Sequence, residues 1–392
     1  MDAALGQLTD RVRAAAASGA PLRIRGGGSK DFYGQSLQGE LLDTTVLTGI
    51  TSYEPSELVV TARAGTPLQE LEAGLAEQGQ CLPFEPPHFA LQRDDSQATI
   101  GGMVAAGLSG PARASVGGVR DYMLGVQLIN GRAEHLTFGG QVMKNVAGYD
   151  VSRLMAGSMG TLGVITEVSL KVLPVAPAEA TLVFELDQAG ALAQLHRWGG
   201  QPLPLNASRW VGDGDAATPG AAGGQAQGMG RLYVRLRGAI AAVESASKSM
   251  AQQAGGKRMD NAVAAPDWQA CRDLRLPFFK SPPQPDMALW RLSVAQTSPV
   301  LNLPWPQLVE WHGALRWLWA PLDAAARVRE AAALAGGSAT VFISNYANHT
   351  RATAKFDAFS ALKSPLDAIH RRLKTEFDPV GIFNRGRLFA DM

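Results

Sequence analysis

Cysteine is nearly absent from this chain. Two residues, Cys81 and Cys271, cannot frame a disulfide scaffold, and they fall short of the roughly four thiolates that a zinc ribbon or an iron–sulfur cluster takes. Both read as small buried hydrophobes. Histidine is scarce too: the six are scattered, with no metal-ligand spacing, so no metal site is expected. No apolar run approaches the ~18 residues of a membrane span. Residues 1–20 lack the basic-then-apolar order of a secretory leader and read as an amphipathic helix, so a cytoplasmic protein is expected. An excess of one charge is also missing. The 36 Lys plus Arg against 35 Asp plus Glu leave +1 and no electrostatic footprint for nucleic acid. Charged residues make up only 18%, below the roughly 25% of soluble domains, which fits an Ala- and Gly-rich surface. What these exclusions leave is a globular chain, 46% hydrophobic and too long at 392 residues for one core.

Periodicity places the elements. Leu5, Leu8 and Val12 at helical spacing predict a first helix that stops at Gly19. Alternation over Leu22–Arg25 predicts a short strand, cut off by Gly26-Gly27-Gly28-Ser29-Lys30. A second strand near Leu58–Arg63 leads into Thr66-Pro67-Leu68-Gln69, read as a capping box with proline at the first helical position. Prolines stiffen residues 82–88 into an extended loop. Strands follow at 126–129, 135–138 and 164–173. Asp150 is placed to cap a helix opening near Val151. Further on, strands near 181–185, 231–237 and 289–294 alternate with helices. Residues 212–230, rich in Gly and Ala, predict a surface loop. Leu366, Ile369, Leu373 and Phe377 mark one face of a last helix, followed by a turn-rich arm.

What the chain has in abundance is glycine, 43 in all, set among apolar residues in several separate loops. A strand ending in three glycines, Ser29 and Lys30 suggests an anion cradle. Without a Cβ the main-chain N–H groups converge on phosphate oxygens, and Ser29 and Lys30 add a hydroxyl and a cation. It is neither a P-loop nor a nicotinamide-type dinucleotide fingerprint, because the spacing and the third glycine are missing. Thr99-Ile100-Gly101-Gly102 through Gly107, then Gly117-Gly118-Val119-Arg120-Asp121, and Gly157 to Gly163 repeat the pattern. Several such loops in one domain suggest one elongated ligand held at several points, as a dinucleotide would be.

These motifs, in order, resemble the FAD-binding family of vanillyl-alcohol oxidase and p-cresol methylhydroxylase (PCMH). The set is Arg-Gly-Gly-Gly-Ser, Leu-Pro-x-x-Pro-Pro, Ala-Thr-Ile-Gly-Gly, Val-Arg-Asp, Gly-Ser-x-Gly-Thr-Leu-Gly-Val-Ile-Thr-Glu and Gly-Ile-Phe-Asn-x-Gly. Glu85-Pro-Pro-His-Phe89, the run from Phe138 to Leu154 and Trp311-His-Gly-Ala-Leu-Arg-Trp317 resemble the FAD-binding subunits (E component) of bacterial glycolate oxidases. The resemblance implies an α+β fold. A PCMH-type FAD domain of two subdomains would span 1–175. A cap with an antiparallel sheet would span 176–360, and an arm, 361–392, would return to the FAD domain. It implies FAD, with Gly26, Gly27, Gly28, Ser29 and Lys30 on the pyrophosphate. Pro86, Pro87 and His88 would line the flavin loop. Thr99, Ile100, Gly101, Gly102, Gly107 and Gly160 would pack along the cofactor. Arg120 and Asp121 would lie near the ribose or adenine, with Ile165 on adenine and Asn384 near the isoalloxazine. Ser29 stands where many members carry a covalently linked histidine, so FAD is expected to be noncovalent. Arg385 stands where the family commonly has proline.

Oxidising a small 2-hydroxy acid such as glycolate requires a cation for the carboxylate and a base for the hydroxyl proton. Arg316 and His88 are the candidates. Arg316 equally suits pairing with a buried acid, and His88 suits a hydrogen-bonded loop histidine. The late His-Gly-Asp-Gly-Asn-type motif of hydroxy-acid dehydrogenases in this superfamily is absent. Two expectations therefore stand: this chain oxidises glycolate at its own flavin, or it is a flavin relay or structural subunit beside a sister FAD-binding subunit. Both require a separate iron–sulfur subunit, since two cysteines hold no cluster. Through those partners the protein would be peripheral on an inner membrane.

Overall fold

The computed structural model describes residues 2–35, 38–89, 97–140, 150–212, 228–344 and 356–389. Lys144, Asn145, Tyr149, His349 and most of the glycine-rich 212–230 stretch lie outside the described residues. The chain forms two compact units. The first is Met1–Ser109, Gly118–Val175 and Ala361–Met392; the second is Gly110–Gly117 and Ala176–Ser360. Helices and antiparallel sheets make the fold α+β.

The first unit opens with the helix Ala3–Ser18, capped by the Asp2 carboxylate on Ala4 N–H and ended by Gly19 in the left-handed conformation. Its Leu8, Val12 and Ala15 pack with Leu22, Leu42, Ile382 and Phe383. The strand Leu22–Arg25 pairs in parallel with Glu40–Asp43. An antiparallel sheet follows the spatial order Ile50–Glu54, Val59–Arg63, Val164–Lys171, Met123–Ile129, His135–Gly139. Val60, Val126, Leu128, Ile165 and Val168 from this sheet form one core with Leu68, Leu71 and Leu75 of the helix Leu68–Glu77, and with Ile100, Met103 and Val104. The predicted capping box does not form. Pro67 takes the cap position without a side-chain hydrogen bond, and Thr66 Oγ1 instead accepts from Gly49 N–H (2.9 Å). A fully buried hydroxyl found a partner across the fold.

The arm begins with the helix Leu366–Phe377. Leu373 and Phe377 reach the sheet core, while Ile369 and Leu366, one and two turns before Leu373, are exposed. After it, the fully buried Asp378 accepts hydrogen bonds from Lys374 Nζ (2.7 Å), Ile382 N–H (3.0 Å) and Phe383 N–H (2.8 Å). This carboxylate shapes the turn that sends the chain back to Leu22.

The second unit is built on an eight-stranded antiparallel sheet. Ala180, Leu182, Leu232, Val234 and Trp210 pack against the helices Gln188–Gly199 and Ile240–Ala254, and Trp290, Leu318 and Val341 pack against Ala325–Leu334. The opposite face carries Thr181 and Trp317, met by Trp268 and Phe279. Residues 110–117 belong here through a strained turn. Trp311, His312 and Gly313 all have positive φ (54°, 54° and 106°). The turn is held by Trp311 Nε1–H on Gly110 O (2.9 Å) and by Ser115 Oγ on His312 Nε2 (2.9 Å). Non-glycine residues in this region persist only where the surroundings fix them.

Candidate functional site

The arm runs beside the strand Leu22–Arg25. Leu22 N–H donates to Ile382 O (2.7 Å), Asn384 N–H to Leu22 O (3.0 Å), and Ile24 N–H to the Asn384 side-chain oxygen (2.8 Å). The other half of that amide, Nδ2–H, donates to Met159 O (2.7 Å). Asn384 sits at φ 41°, a left-handed position that asparagine tolerates better than most residues. One side chain thus joins the strand, the arm and the 157–163 glycine loop. The fit leaves no room at Gly160, where a Cβ would come within 2.6 Å of Asn384 Nδ2.

The strand then enters the glycine run. A Cβ on Gly27 would sit 1.7 Å from Gln97 O, and one on Gly26 2.3 Å from Thr99 Oγ1. Glycine here lets two loops touch backbone to backbone. Thr99 caps the short helix Ile100–Ala106, whose Ile100 and Met103 enter the core while Gly102, Ala105 and Ala106 face a cleft. The cleft is lined by Ile24 to Asp31, Thr99, Gly102, Ala105, Ala106, Met159, Asn384 and Arg387. Among the described residues, the main-chain N–H groups of Gly26, Gly27, Gly28 and Ser29 have no protein acceptor. Lys30 Nζ–H donates to Ser29 Oγ (3.2 Å), and Arg25 pairs with Asp31 (2.6 Å). Among the described residues, the charged lining ones are Arg25, Lys30, Arg387 and Asp31, three cations against one carboxylate, net +2. Free main-chain donors and a net +2 charge fit a pyrophosphate diester, which carries two negative charges at neutral pH.

The structure brings together Gly26 through Lys30, Thr99, Gly102 and Asn384 from the sequence-derived set. The others are not part of that lining. Ile100 and Ile165 are core residues, and Gly101 lets its helix meet Ala64 (Cβ to Cβ 2.7 Å if substituted). Gly107, at φ 63°, ends the helix against Gly157. Asp121 accepts from Gly118 N–H (2.8 Å), and Arg120 is solvent-exposed. Pro86 and Pro87 are buried in a loop whose flanks, Glu85 and Phe89, both have positive φ (49° and 47°). Phe89 packs edge-on to Phe32 and under Lys30, which ties that loop to the cradle. His88 Nε2 lies 2.8 Å from Glu72 Oε2. Asp150 caps Val151–Met155. Sequence reasoning missed Ile24, Arg25, Asp31, Ala105, Ala106, Met159 and Arg387. The available signal for the last was an arginine three residues after the arm's asparagine.

Arg316 belongs to the second unit and is fully buried. Its Nε–H donates to Gly313 O (2.8 Å) and Nη2–H to Ser298 O (3.1 Å), while Nη1 has no partner; burial lowers its pKa to about 10. Among the described residues it neither pairs with an acid nor stacks on tryptophan. It shares a strand face with Leu318, in the helix-covered core. A cluster that sequence reasoning did not single out lies on the other face. Glu310, 4% exposed, neighbours Arg209 across the strand pair and accepts from Trp317 Nε1–H (3.1 Å); burial pushes its pKa up to about 7, opposed by Arg209. Arg209 stacks on Tyr233 (4.1 Å) and donates to Asp267 (2.8 Å). His312, 5% exposed, is driven down to about 4 by burial.

A family model described as an FAD binding domain matches residues 4–151. The glycolate oxidase subunit GlcE of Escherichia coli (strain K12) is 40% identical over 385 residues, 98% of this chain and 97% of that protein. The glycolate oxidase subunit GlcD of Bacillus subtilis (strain 168) is 29% identical over 145 residues, 37% of this chain and 30% of its own. The solved structure of 4-ethylphenol oxidase from Gulosibacter chungangensis superposes with a TM-score of 0.66 at 14% identity, covering 99% of this chain and 88% of that one, a likeness of fold.

Proposed function

Because this chain belongs to the family of glycolate oxidase FAD-binding subunits, within the FAD-binding family of vanillyl-alcohol oxidase and p-cresol methylhydroxylase, we propose that it is the flavin-carrying subunit of a complex that oxidises glycolate to glyoxylate. The chain is an FAD-binding oxidoreductase subunit by family; substrate, partners and residue roles are our reading. The observation that carries it is the cradle: four main-chain N–H groups, Gly26 to Ser29, with no acceptor among the described residues, beside a lining that is net +2 among those residues. These donors would bind the pyrophosphate, and Lys30 would add a charge-assisted contact. Gly102, Ala105 and Ala106 would let the cofactor lie close to the helix. When bound, FAD supplies a two-electron acceptor for the hydride of a 2-hydroxy acid. Ser29 offers no imidazole for a covalent link, so the cofactor would be held noncovalently. Electrons would leave through an iron–sulfur subunit, because Cys81 and Cys271 are separate, single thiols. No helix among the described residues is long and apolar enough to cross a membrane, and peripheral placement through partners is part of the same reading.

A second reading has an observation in its favour. His88 is engaged by Glu72, and Arg316 is turned into the helix-packed core, so neither sequence candidate stands ready for a substrate carboxylate or proton. On this reading the chain relays electrons while a sister flavoprotein oxidises the substrate. The test is anaerobic. The purified chain, yellow with FAD, is mixed with glycolate. Bleaching at a turnover-competent rate supports the first reading. An unchanged spectrum that bleaches once the sister subunits are added supports the second. A chain that takes up no flavin defeats both.

A further inference from the structure

Arg387 is a buried cation whose hydrogen bonds, among the described residues, go to main-chain carbonyls and not to a carboxylate. It is 7% exposed, and its guanidinium is fixed by carbonyls: Nη1–H donates to Gln35 O (3.1 Å) and Nη2–H to Lys30 O (3.2 Å). Carbonyls satisfy its hydrogen bonds but neutralise nothing. Asp31, the one carboxylate lining the same cleft, is engaged by Arg25 at 2.6 Å. Buried cations are kept where an anion meets them, because an uncompensated charge in a low-dielectric site is costly. Burial lowers the Arg387 pKa to about 10, and the nearby Asp31 opposes the shift. The residue comes from the far end of the chain, on an arm docked through Asn384, yet it lines the same cleft as Gly26 to Ser29.

We propose that Arg387 supplies the arm's charge to the pyrophosphate of the bound dinucleotide, so that docking of residues 378–389 and loading of FAD are one linked equilibrium. This rests on the FAD reading above. Linkage makes the effect reciprocal: whatever the docked arm adds to FAD affinity, FAD adds to arm docking.

The experiment uses the full-length chain stripped of flavin, with FAD, ADP and riboflavin as probes. Arg387→Met is expected to weaken FAD and ADP binding roughly 10- to 100-fold, the range for a charge-assisted contact, and to leave riboflavin unchanged. Arg387→Lys, which keeps the charge but loses the planar fork, falls between. In the wild type, hydrogen exchange at Ile382, Phe383 and Asn384 is expected to slow several-fold with FAD or ADP and not with riboflavin. That second measurement needs no variant, so it decides even if Arg387→Met does not fold. A folded Arg387→Met chain with wild-type FAD affinity overturns the proposal, as does a wild type that binds FAD with no change in arm exchange. In both cases FAD still binds, so the cofactor reading survives; a wild type that binds neither FAD nor ADP overturns both.

Discussion

At the scale of single residues, Glu310 and His312 pull the pH dependence of the second unit in opposite directions. Burial holds Glu310 protonated up to about pH 7, against an ordinary value of 4.5. Between those limits the folded chain binds the extra proton, so its contribution to stability is full below pH 4.5 and is lost as pH rises through 7. His312 behaves inversely. Its neutral form is favoured down to about pH 4, against 6.5 when unfolded, so its contribution is full above 6.5 and is lost as pH falls through 4. The two slopes cancel between about pH 4.5 and 6.5, and each group is worth at most about 3 kcal/mol. Urea unfolding at fixed pH values checks this. Glu310→Gln should unmask stability that rises with pH in this window. His312→Asn, which tolerates the left-handed φ of 54°, should unmask stability that falls. Parallel wild-type and variant profiles would contradict the assignment. Neither residue was legible from the sequence, because burial is a property of the sheet face and not of the flanking residues. Arg316 shows the same limit. Its flanking leucine and tryptophan marked an apolar strand correctly, yet nothing in them tells which face carries the guanidinium.

At the scale of elements, the glycine loops were readable because glycine is the one residue whose absent side chain is itself the signal. Gly26 to Ser29, Thr99 and Gly102 line one cleft as their spacing suggested, and Asn384, expected there only from the family resemblance, lines it too. What spacing could not separate was glycine that lines the cleft from glycine needed only for packing. Gly101, Gly107 and Gly160 are needed by Ala64, Gly157 and Asn384 respectively. The capping box failed for a related reason: Thr66 had the right motif but a better partner in Gly49. Two substitutions of one chemical kind make the distinction measurable. Gly27→Ala drives a Cβ to 1.7 Å from a main-chain oxygen, so the loop contact must open, at about 3 kcal/mol of stability with loss of FAD retention. Gly6→Ala, in the interior of the first helix with nothing within 4 Å, should stabilise by about 0.5–1 kcal/mol and leave FAD affinity untouched. Thermal melts and flavin titration of the two variants, side by side, test both signs.

At the scale of the whole molecule, the division into two units comes with a built-in reporter. All eight tryptophans lie between Trp198 and Trp319, in the second unit, and none in the first. Within the first unit, the arm returns to Leu22 through Ile382 and Asn384. Removing residues 378–392 takes away Ile382 and Phe383 from the core of the first unit, the Asn384 tie and the Arg387 charge together. Nothing in the eight-stranded sheet loses a contact within its own unit. The truncated chain should therefore lose FAD, and its far-UV unfolding should split into an early and a late transition, with tryptophan emission following only the late one. Such a separation would be a departure from two-state behaviour. Wild-type protein saturated with FAD at about 100 times its Kd should move the other way, gaining about 2.7 kcal/mol in the first unit alone. A tryptophan transition that shifts in step with flavin release, in either experiment, would show that the two cores unfold as one.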